Sequence, residues 1–445
     1  MPEKNKSTSS SIPARKNKEG SRKEAVFQSV KGMHDVLPKD AEWWNFFLKK
    51  GYEVADLFDF NFIETPILEP AGLFEAGVGM LTDIVEKEMF VFKTKGGDRL
   101  AMRPEGTAGL MRSYLQHHLG YFSIPLKVFH YGPSFRYEQP QAGRYREFHQ
   151  WDFDIIGDTD PWYDVQVMLA AMALLRGVGI KNVCVKINTV GCKICRPSYR
   201  RKLVSYYGGK QKDLCADCKR RLSENPLRLL DCKGENCQGL KEKAPSIFNH
   251  LCQSCNTHFK GTLELMEESE IDYEPDQRLV RGIDYYNKTV FEIFPVSGER
   301  ASSALAAGGR YDYLGEILGG RMVPAVGAAF GVERVIEYLK ESKIEIKSKK
   351  KPGAFFVILG AEAKKPGIKL VNDLRLSGVR TMESVGKKSM GAQLKAASKS
   401  GAALALIVGQ RECFEKTVLL RDMTTGVQET IPMEKIIDET KKRLK

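Results

Sequence analysis

The stretch LKVFHYGPSFRYEQPQAGRYREFHQWDFDIIG, Leu126–Gly157, reads as two strands flanking a loop that carries Gln139, Pro140, Gly143 and Arg144. A period of two puts Gln150, Asp152 and Asp154 on one face of the second strand, so that face is polar. An antiparallel sheet with one face lining a polar site has this pattern. Arg136 closes the first strand beside the glycine-containing loop. Its guanidinium offers planar, paired donors that suit a phosphate. Taken alone, the same residues equally suit a hairpin with surface salt bridges.

Working outward, MFVFKT and RLAMRP (from Met89) read as further short strands of such a sheet. MRPEGTAGLMRSYLQ, Met102–Gln116, enters a helix through a Pro/Gly turn bearing Glu105, Gly106 and Thr107. A carboxylate there could hold a substrate ammonium, or the turn could be a helix cap. Lys39–Leu57 has apolar residues at helical spacing, NFIETPILEP is a short strand ended by prolines, and Asp160–Leu175 is a helix. LVRGIDYYNKTVFEIF, Leu279–Phe294, reads as a buried strand. Burial of Arg281 there costs several kcal/mol unless an anion meets it. AAGGRYDYLGEILGG, from Ala306, pairs glycines with Arg310 and Tyr311, and GVERV sets Arg334 in the opening turn of a helix, where the dipole favours an anion.

The chain has 445 residues, enough for two or three domains, and a formal charge of +13, which favours a polyanionic partner. No apolar run is long enough for a membrane helix, so no membrane role is expected. Residues 1–25 are Lys/Ser-rich without an apolar core and are expected to be a disordered tail. SKIEIKSKKKPG, Ser342–Gly353, reads as a basic linker, assigned to 342–352, ahead of a βαβαβ pattern over 353–445, a separate small α/β domain.

Ten cysteines without a secretory signal point to a reducing, cytoplasmic setting, where clustered thiols more often bind metal than pair. Composition shifts at 192–270, a Cys-rich insertion that divides the core into 26–191 and 271–341. Its pairs are Cys192/Cys195, Cys215/Cys218, Cys232/Cys237 and Cys252/Cys255. Four pairs supply two tetrahedral zinc sites, combined either in sequence or nested, with the inner pairs meeting and the outer pairs joining. Plain reduced thiols are the alternative.

FRYEQPQAGRYREFHQ resembles motif 2 of class II aminoacyl-tRNA synthetases, GAAFGVERV resembles motif 3, and IETPILEP resembles the proline-bearing motif 1 of the dimer interface. KGMHDVLP, RPEGTAG, LVRGIDYYNKTVFEIF and AAGGRYD together resemble the histidyl-tRNA synthetase family, from about Val26 to the end. The resemblance implies an α+β fold: an antiparallel class II core flanked by helices, with the insertion over the tRNA acceptor arm and a C-terminal α/β anticodon-binding domain. It implies a homodimer that makes histidyl-adenylate from L-histidine and ATP, with Mg²⁺ on the phosphates, then charges the 3′ end of tRNA(His).

By the same resemblance, Arg136 would hold the α-phosphate and Arg334 the distal phosphates. Glu105, Gly106, Thr107 and Gln150 would take the histidine ammonium end, Asp154 and Tyr286 the imidazole, and Tyr285 and Tyr311 would complete the pocket. Arg281 would sit between the histidine carboxylate and the α-phosphate, where a fixed cation stabilises attack of one anion on another. The competing reading is a catalytically silent paralogue that senses histidine or tRNA. Such chains typically lack the anticodon domain or the RGIDYY arginine, both of which are present here.

Overall fold

The computed structural model describes residues 27–141, 143–298, 302–346, 351–383, 386 and 389–444. The basic tail expected over 1–25 and the centre of the linker, 347–350, lie outside the described residues. The chain divides into two compact units after Ile346.

The strands of the first unit are β1 (Asn61–Phe62), β2 (Leu68–Pro70), β3 (Val91–Lys93), β4 (Arg99–Met102), β5 (Leu126–Phe135), β6 (Glu147–Ile156), β7 (Val183–Thr189), β8 (Tyr273–Pro275), β9 (Asn287–Pro295), β10 (Ala306–Arg310) and β11 (Ala325–Gly331). Eight of them form one sheet in the order β1-β5-β6-β11-β10-β9-β7-β8, antiparallel except at its two edges. The β5–β6 hairpin runs in unbroken register from Leu126↔Ile156 to Phe135↔Glu147.

Alternation along β6 divides its side chains as the sequence demands. Trp151, Phe153 and Ile155 enter the main apolar core beneath helices Ala41–Leu57, Pro161–Gly177, Gln253–Glu268 and Val332–Glu341. Gln150, Asp152 and Asp154 take the other face and are buried too. Helix Pro161–Gly177 begins where Asp160 accepts the Trp162 N–H at 2.9 Å and proline fills the first turn.

Three expectations change. MFVFKT and RLAMRP do not extend the large sheet; β3 and β4 join β2 in a separate three-stranded sheet. NFIETPILEP is not one strand, since β1 and β2 belong to different sheets. LVRGIDYY is not strand at all: β9 starts only at Asn287, and Leu279–Tyr286 runs through turns and bends. Alternation cannot tell such a segment from a strand when its apolar residues are anchored by tertiary packing.

The Cys-rich stretch holds the helices Cys195–Gly208, Ala216–Glu224 and Glu235–Glu242. Helix Gln253–Glu268, which follows, buries Phe259 and Met266 in the main core.

The second unit contains β12 (Ala354–Ile358), β13 (Thr381–Glu383), β14 (Leu404–Val408), β15 (Thr417–Asp422) and β16 (Gln428–Pro432) in the order β13-β12-β14-β15-β16. The first three are parallel and the last two antiparallel. Helices Lys364–Leu376 and Met390–Ser400 make the crossovers. Strand β16 lies beyond the βαβαβ pattern read from the sequence.

Candidate active site

The loop between β5 and β6, the end of β11, the start of β10 and Glu292 of β9 enclose a cleft with four arginines, Arg136, Arg144, Arg281 and Arg334. Arg136 donates Nε–H to the Pro104 carbonyl at 2.9 Å, and its guanidinium lies 5.1 Å from the Phe148 ring centre. Arg334 occupies the first turn of helix Val332–Glu341 and donates to the carbonyls of Gly143 (3.0 Å) and Ala304 (3.4 Å). Burial, then the neighbouring Arg144, pushes the Arg334 guanidinium below its ordinary pKa. A cation held against a like charge marks a place where an anion would be welcome.

Arg281 lines this cleft and lies 5.8 Å from the Tyr286 ring centre, at the edge of a pocket of buried carboxyl groups and tyrosines. The buried-cation question has an answer within the chain: Arg281 ion-pairs with Glu292 of β9. Burial opposes its charge, but Glu292 together with Tyr286 and Tyr285 raises the pKa above the ordinary value. Its Nε–H is buried and finds no acceptor among the described residues. The anion partner therefore does not wait for substrates, although one donor does.

Fully buried guanidinium groups occur elsewhere. Arg310 donates to Asp164 (2.7 Å), Asp312 (3.1 Å) and the carbonyls of Asp158 and Asp160. Arg103 donates to the Thr65 and Pro133 carbonyls, both at 2.8 Å. Both are structural cations with partners inside the fold, and neither could be separated from Arg281 by sequence pattern.

The pocket beside Arg281 gathers Glu105, Thr107, Asp154, Tyr285, Tyr286 and Tyr311 through mutual contacts. Glu105 accepts the Thr107 and Ala108 N–H groups at 2.8 Å each, so it caps helix Thr107–Gln116 while also accepting the Tyr285 hydroxyl at 3.1 Å. The capping and ligand readings of this turn thus fall on one carboxylate. Gln150 accepts the Ser134 hydroxyl at 2.7 Å, which leaves its NH₂ group for other partners. Tyr311 donates to Asp154 Oδ1 at 2.6 Å. Tyr285 sits 4.7 Å from Tyr286 and 5.7 Å from Tyr311, centre to centre.

Two glycines in register give these side chains their room. Gly309 of β10 pairs with Gly327 of β11, and Gly327 pairs with Asp154 of β6. A Cβ on Gly327 would lie 2.0 Å from Asp154 Oδ1, and one on Gly309 (φ +153°) would lie 3.0 Å from Tyr286 Cδ1. The carboxylate and the phenol therefore lean over the same bare strip of sheet from two sides. The paired glycines in AAGGRYD serve side-chain placement here, within a strand rather than a turn.

The pocket is lined by carboxyl groups whose ionisation the fold opposes. Burial above all, with Glu105 adding and the Tyr311 hydroxyl opposing, lifts Asp154 to about 7. Asp152, which sequence alternation placed on this face without a role, is raised well above the carboxylate range by burial and then by Asp154 and Glu105. Gly106 lies so close that a Cβ there would be 2.8 Å from Asp152 Oδ2. His130, 3.9 Å from Asp152, is held neutral by burial and then Arg103, its pKa lowered to about 4. Three carboxylates crowded into a small volume, with Arg103 as the nearest cation beneath them, favour a cationic ligand.

The eight clustered cysteines form two tetrads, Cys192/Cys195/Cys252/Cys255 and Cys215/Cys218/Cys232/Cys237, with all sulfurs of a tetrad within 4.8 Å of one another. This is the nested arrangement, outer pairs together and inner pairs together.

The chain that carries these features matches a known family over nearly its whole length. Residues 32–335 match the family model described as histidyl-tRNA synthetase, and 354–443 match an anticodon-binding domain. A histidine–tRNA ligase of Dehalococcoides mccartyi is 41% identical over 94% of this chain and 100% of its own length. One of Syntrophotalea carbinolica is 41% identical over 92% of this chain and 96% of its own. The apo S. aureus histidyl-tRNA synthetase structure is similar at a TM-score of 0.77 and 30% identity, covering 94% of this chain and 100% of that one. The chain belongs to the histidyl-tRNA synthetase family.

Proposed function

We propose that this protein is a histidine–tRNA ligase that forms histidyl-adenylate and pyrophosphate from L-histidine and ATP, then esterifies the 3′ end of tRNA(His). The observation that carries the reading is the join at Arg281. A carboxyl-lined pocket suited to an ammonium and an imidazole opens beside a cleft suited to a polyphosphate, with an arginine donor free at the boundary. In this reading Arg136 holds the α-phosphate and Arg334 the distal phosphates. Glu105, Thr107 and Gln150, with the close approach that Gly106 permits, take the α-ammonium.

Asp154 and Tyr286 face the two nitrogens of the imidazole, and Tyr285 and Tyr311 wall the ring. A side chain without two ring nitrogens leaves these buried groups unpaired, which is the basis of rejection. Arg281, attracted by Glu292 at rest, turns its donors on the histidine carboxylate and α-phosphate as charge develops at phosphorus. Mg²⁺ enters with ATP, and Glu138 and Glu292 are cleft carboxylates of the hard-oxygen type that would hold it.

The tetrads are suited to structural Zn²⁺. A Zn–S bond of about 2.3 Å in a tetrahedron sets the sulfurs roughly 3.8 Å apart. Cys192–Cys195 measures 3.7 Å, Cys192–Cys252 3.8 Å and Cys215–Cys232 3.8 Å. Backbone N–H groups point at these sulfurs, from Ile194 (3.4 Å), Cys252 (3.0 Å) and Gly234 (3.3 Å), and favour thiolate.

The partners in this reading are tRNA(His), read through its anticodon by the second unit, and a second copy of the chain. The half-exposed Phe62, Ile67 and Leu68 around motif 1 support that homodimer. No described helix is long and apolar enough to cross a membrane, and the reduced cysteines fit a cytoplasmic setting. The test is charging of unfractionated tRNA with each of the standard amino acids, labelled in turn. Histidine alone should enter acid-precipitable material; charging with another amino acid, or with none, rejects the proposal.

A further inference from the structure

The histidine-specific segment Leu279–Tyr286 is held largely from outside the sheet. The catalytic core fastens its ends, through Asn188 to the Leu279 carbonyl (2.8 Å) and the Asp284 N–H to the Val78 carbonyl (3.0 Å). The insertion supplies other ties. Arg196, directly after Cys195, donates Nε–H to the Val190 carbonyl (3.1 Å) and Nη2–H to the Tyr286 carbonyl. Arg228 donates to the Arg281 carbonyl (3.0 Å), and Asn225 donates to the Asp284 carboxylate (2.9 Å).

The two tetrads enclose these donors. The outer one ties the two ends of the insertion at Cys192/Cys195 and Cys252/Cys255, with Arg196 just inside. The inner one closes the segment between Cys218 and Cys232 that carries Asn225 and Arg228. The helices there, Ala216–Glu224 and Glu235–Glu242, span 9 and 8 residues. Helices that short are marginal without tertiary support. Their apolar residues do not form a separate core: Leu222, Leu229 and Leu230 share one buried cluster with Leu279, Val280, Tyr285 and Tyr286. A clip that closes such loops fixes both the insertion and the segment packed against it.

We propose that the two cysteine tetrads, loaded with Zn²⁺, fasten the histidine-binding segment through Arg196 and Arg228, so that metal occupancy sets the affinity for histidine. Arg196 and Arg228 are then positioning residues: they touch the backbone of Tyr286 and Arg281, not the substrates. The inference rests on reading the tetrads as zinc sites, and the experiment separates the two.

The full-length protein is assayed for zinc content and for histidine-dependent ATP–pyrophosphate exchange, before and after stripping with a strong zinc chelator and after readdition of ZnCl₂. Arg228→Ala and Arg196→Ala are assayed beside it. About two zinc ions per chain are expected. Stripping should raise KM for histidine about tenfold or more and leave KM for ATP within about twofold, and ZnCl₂ should restore it. Arg228→Ala should raise KM for histidine similarly with its zinc retained, which loss of fold would not mimic. Normal KM for histidine in the stripped protein, or in both zinc-loaded variants, overturns the fastening and leaves the zinc sites standing. Absence of zinc from the protein both as purified and after incubation with ZnCl₂ overturns the zinc reading, and the fastening with it.

Discussion

Replacing Asp154 by Asn should make the protein more stable at alkaline pH while weakening histidine binding. Asp154 is buried, and its pKa rises from 3.8 to about 7, mainly through burial. Between those values the folded protein holds a proton that the unfolded chain has released. The associated stability is fully present below 3.8 and is lost as pH rises through 7. At pH 8 the ionised carboxylate therefore costs the fold roughly 4 kcal/mol, and at pH 5.5 about 2 kcal/mol. Asparagine removes that cost at every pH but weakens the bond from Tyr311, at a loss of about 1 kcal/mol.

The variant should thus gain about 3 kcal/mol at pH 8 and about 1 kcal/mol at pH 5.5. Urea unfolding followed by tryptophan fluorescence reads this directly. Trp43, Trp44, Trp151 and Trp162, all the tryptophans of the chain, lie in the first unit. His130, lowered to about 4, contributes the opposite slope, but it does so in both proteins and cancels in the difference. In exchange assays the same variant should show KM for histidine raised about 10–100-fold, because a carboxylate acceptor has become an amide. A variant that is less stable at pH 8, with a difference that does not shrink on going to pH 5.5, refutes the assignment of Asp154 as a strained, substrate-directed carboxylate.

Other perturbations separate substrate groups from structural ones. Arg281→Ala should lower kcat for histidine-dependent pyrophosphate exchange by about 10²–10³, with circular dichroism unchanged; near-normal exchange would remove Arg281 from the chemistry. Arg310→Ala strands Asp164 and Asp312 in the interior and should cost about 3–5 kcal/mol in urea unfolding, whereas a surface arginine would cost little. Gly327→Ala puts a methyl where Asp154 Oδ1 now lies, so KM for histidine should rise about tenfold while KM for ATP holds. Equal increases in both would show a general distortion instead.

The hairpin Leu126–Gly157 is legible because its alternation is long, whereas the burial of its polar face is not, since the same residues equally suit a hairpin with surface salt bridges. Helices Ala41–Leu57 and Pro161–Gly177 were legible within two residues at each end for a similar reason: a full apolar stripe, and Asp-Pro at the second start. The segment around Arg281 has the pattern of a strand without being one, because its apolar residues pack against the insertion and a local pattern carries no sign of that partner. MFVFKT and RLAMRP have the composition of strands, but nothing local says which sheet a strand joins. The roles of the pocket residues came from resemblance rather than spacing. Glu292 and Arg310 went unassigned, since an arginine's partner across the sheet depends on register that only the fold sets. Gly309 and Gly327 show the same limit: each is an ordinary strand glycine until their pairing places Asp154 and Tyr286 over them.

The most direct test of the central claim is amino-acid-dependent ATP–pyrophosphate exchange by the purified full-length protein, with the standard amino acids supplied one at a time. Exchange of labelled pyrophosphate into ATP that depends on histidine, with the other amino acids at background, is the predicted result. No exchange with histidine, or comparable exchange with another amino acid, would contradict the assignment of the carboxyl-lined pocket to histidine and of the arginine cleft to ATP.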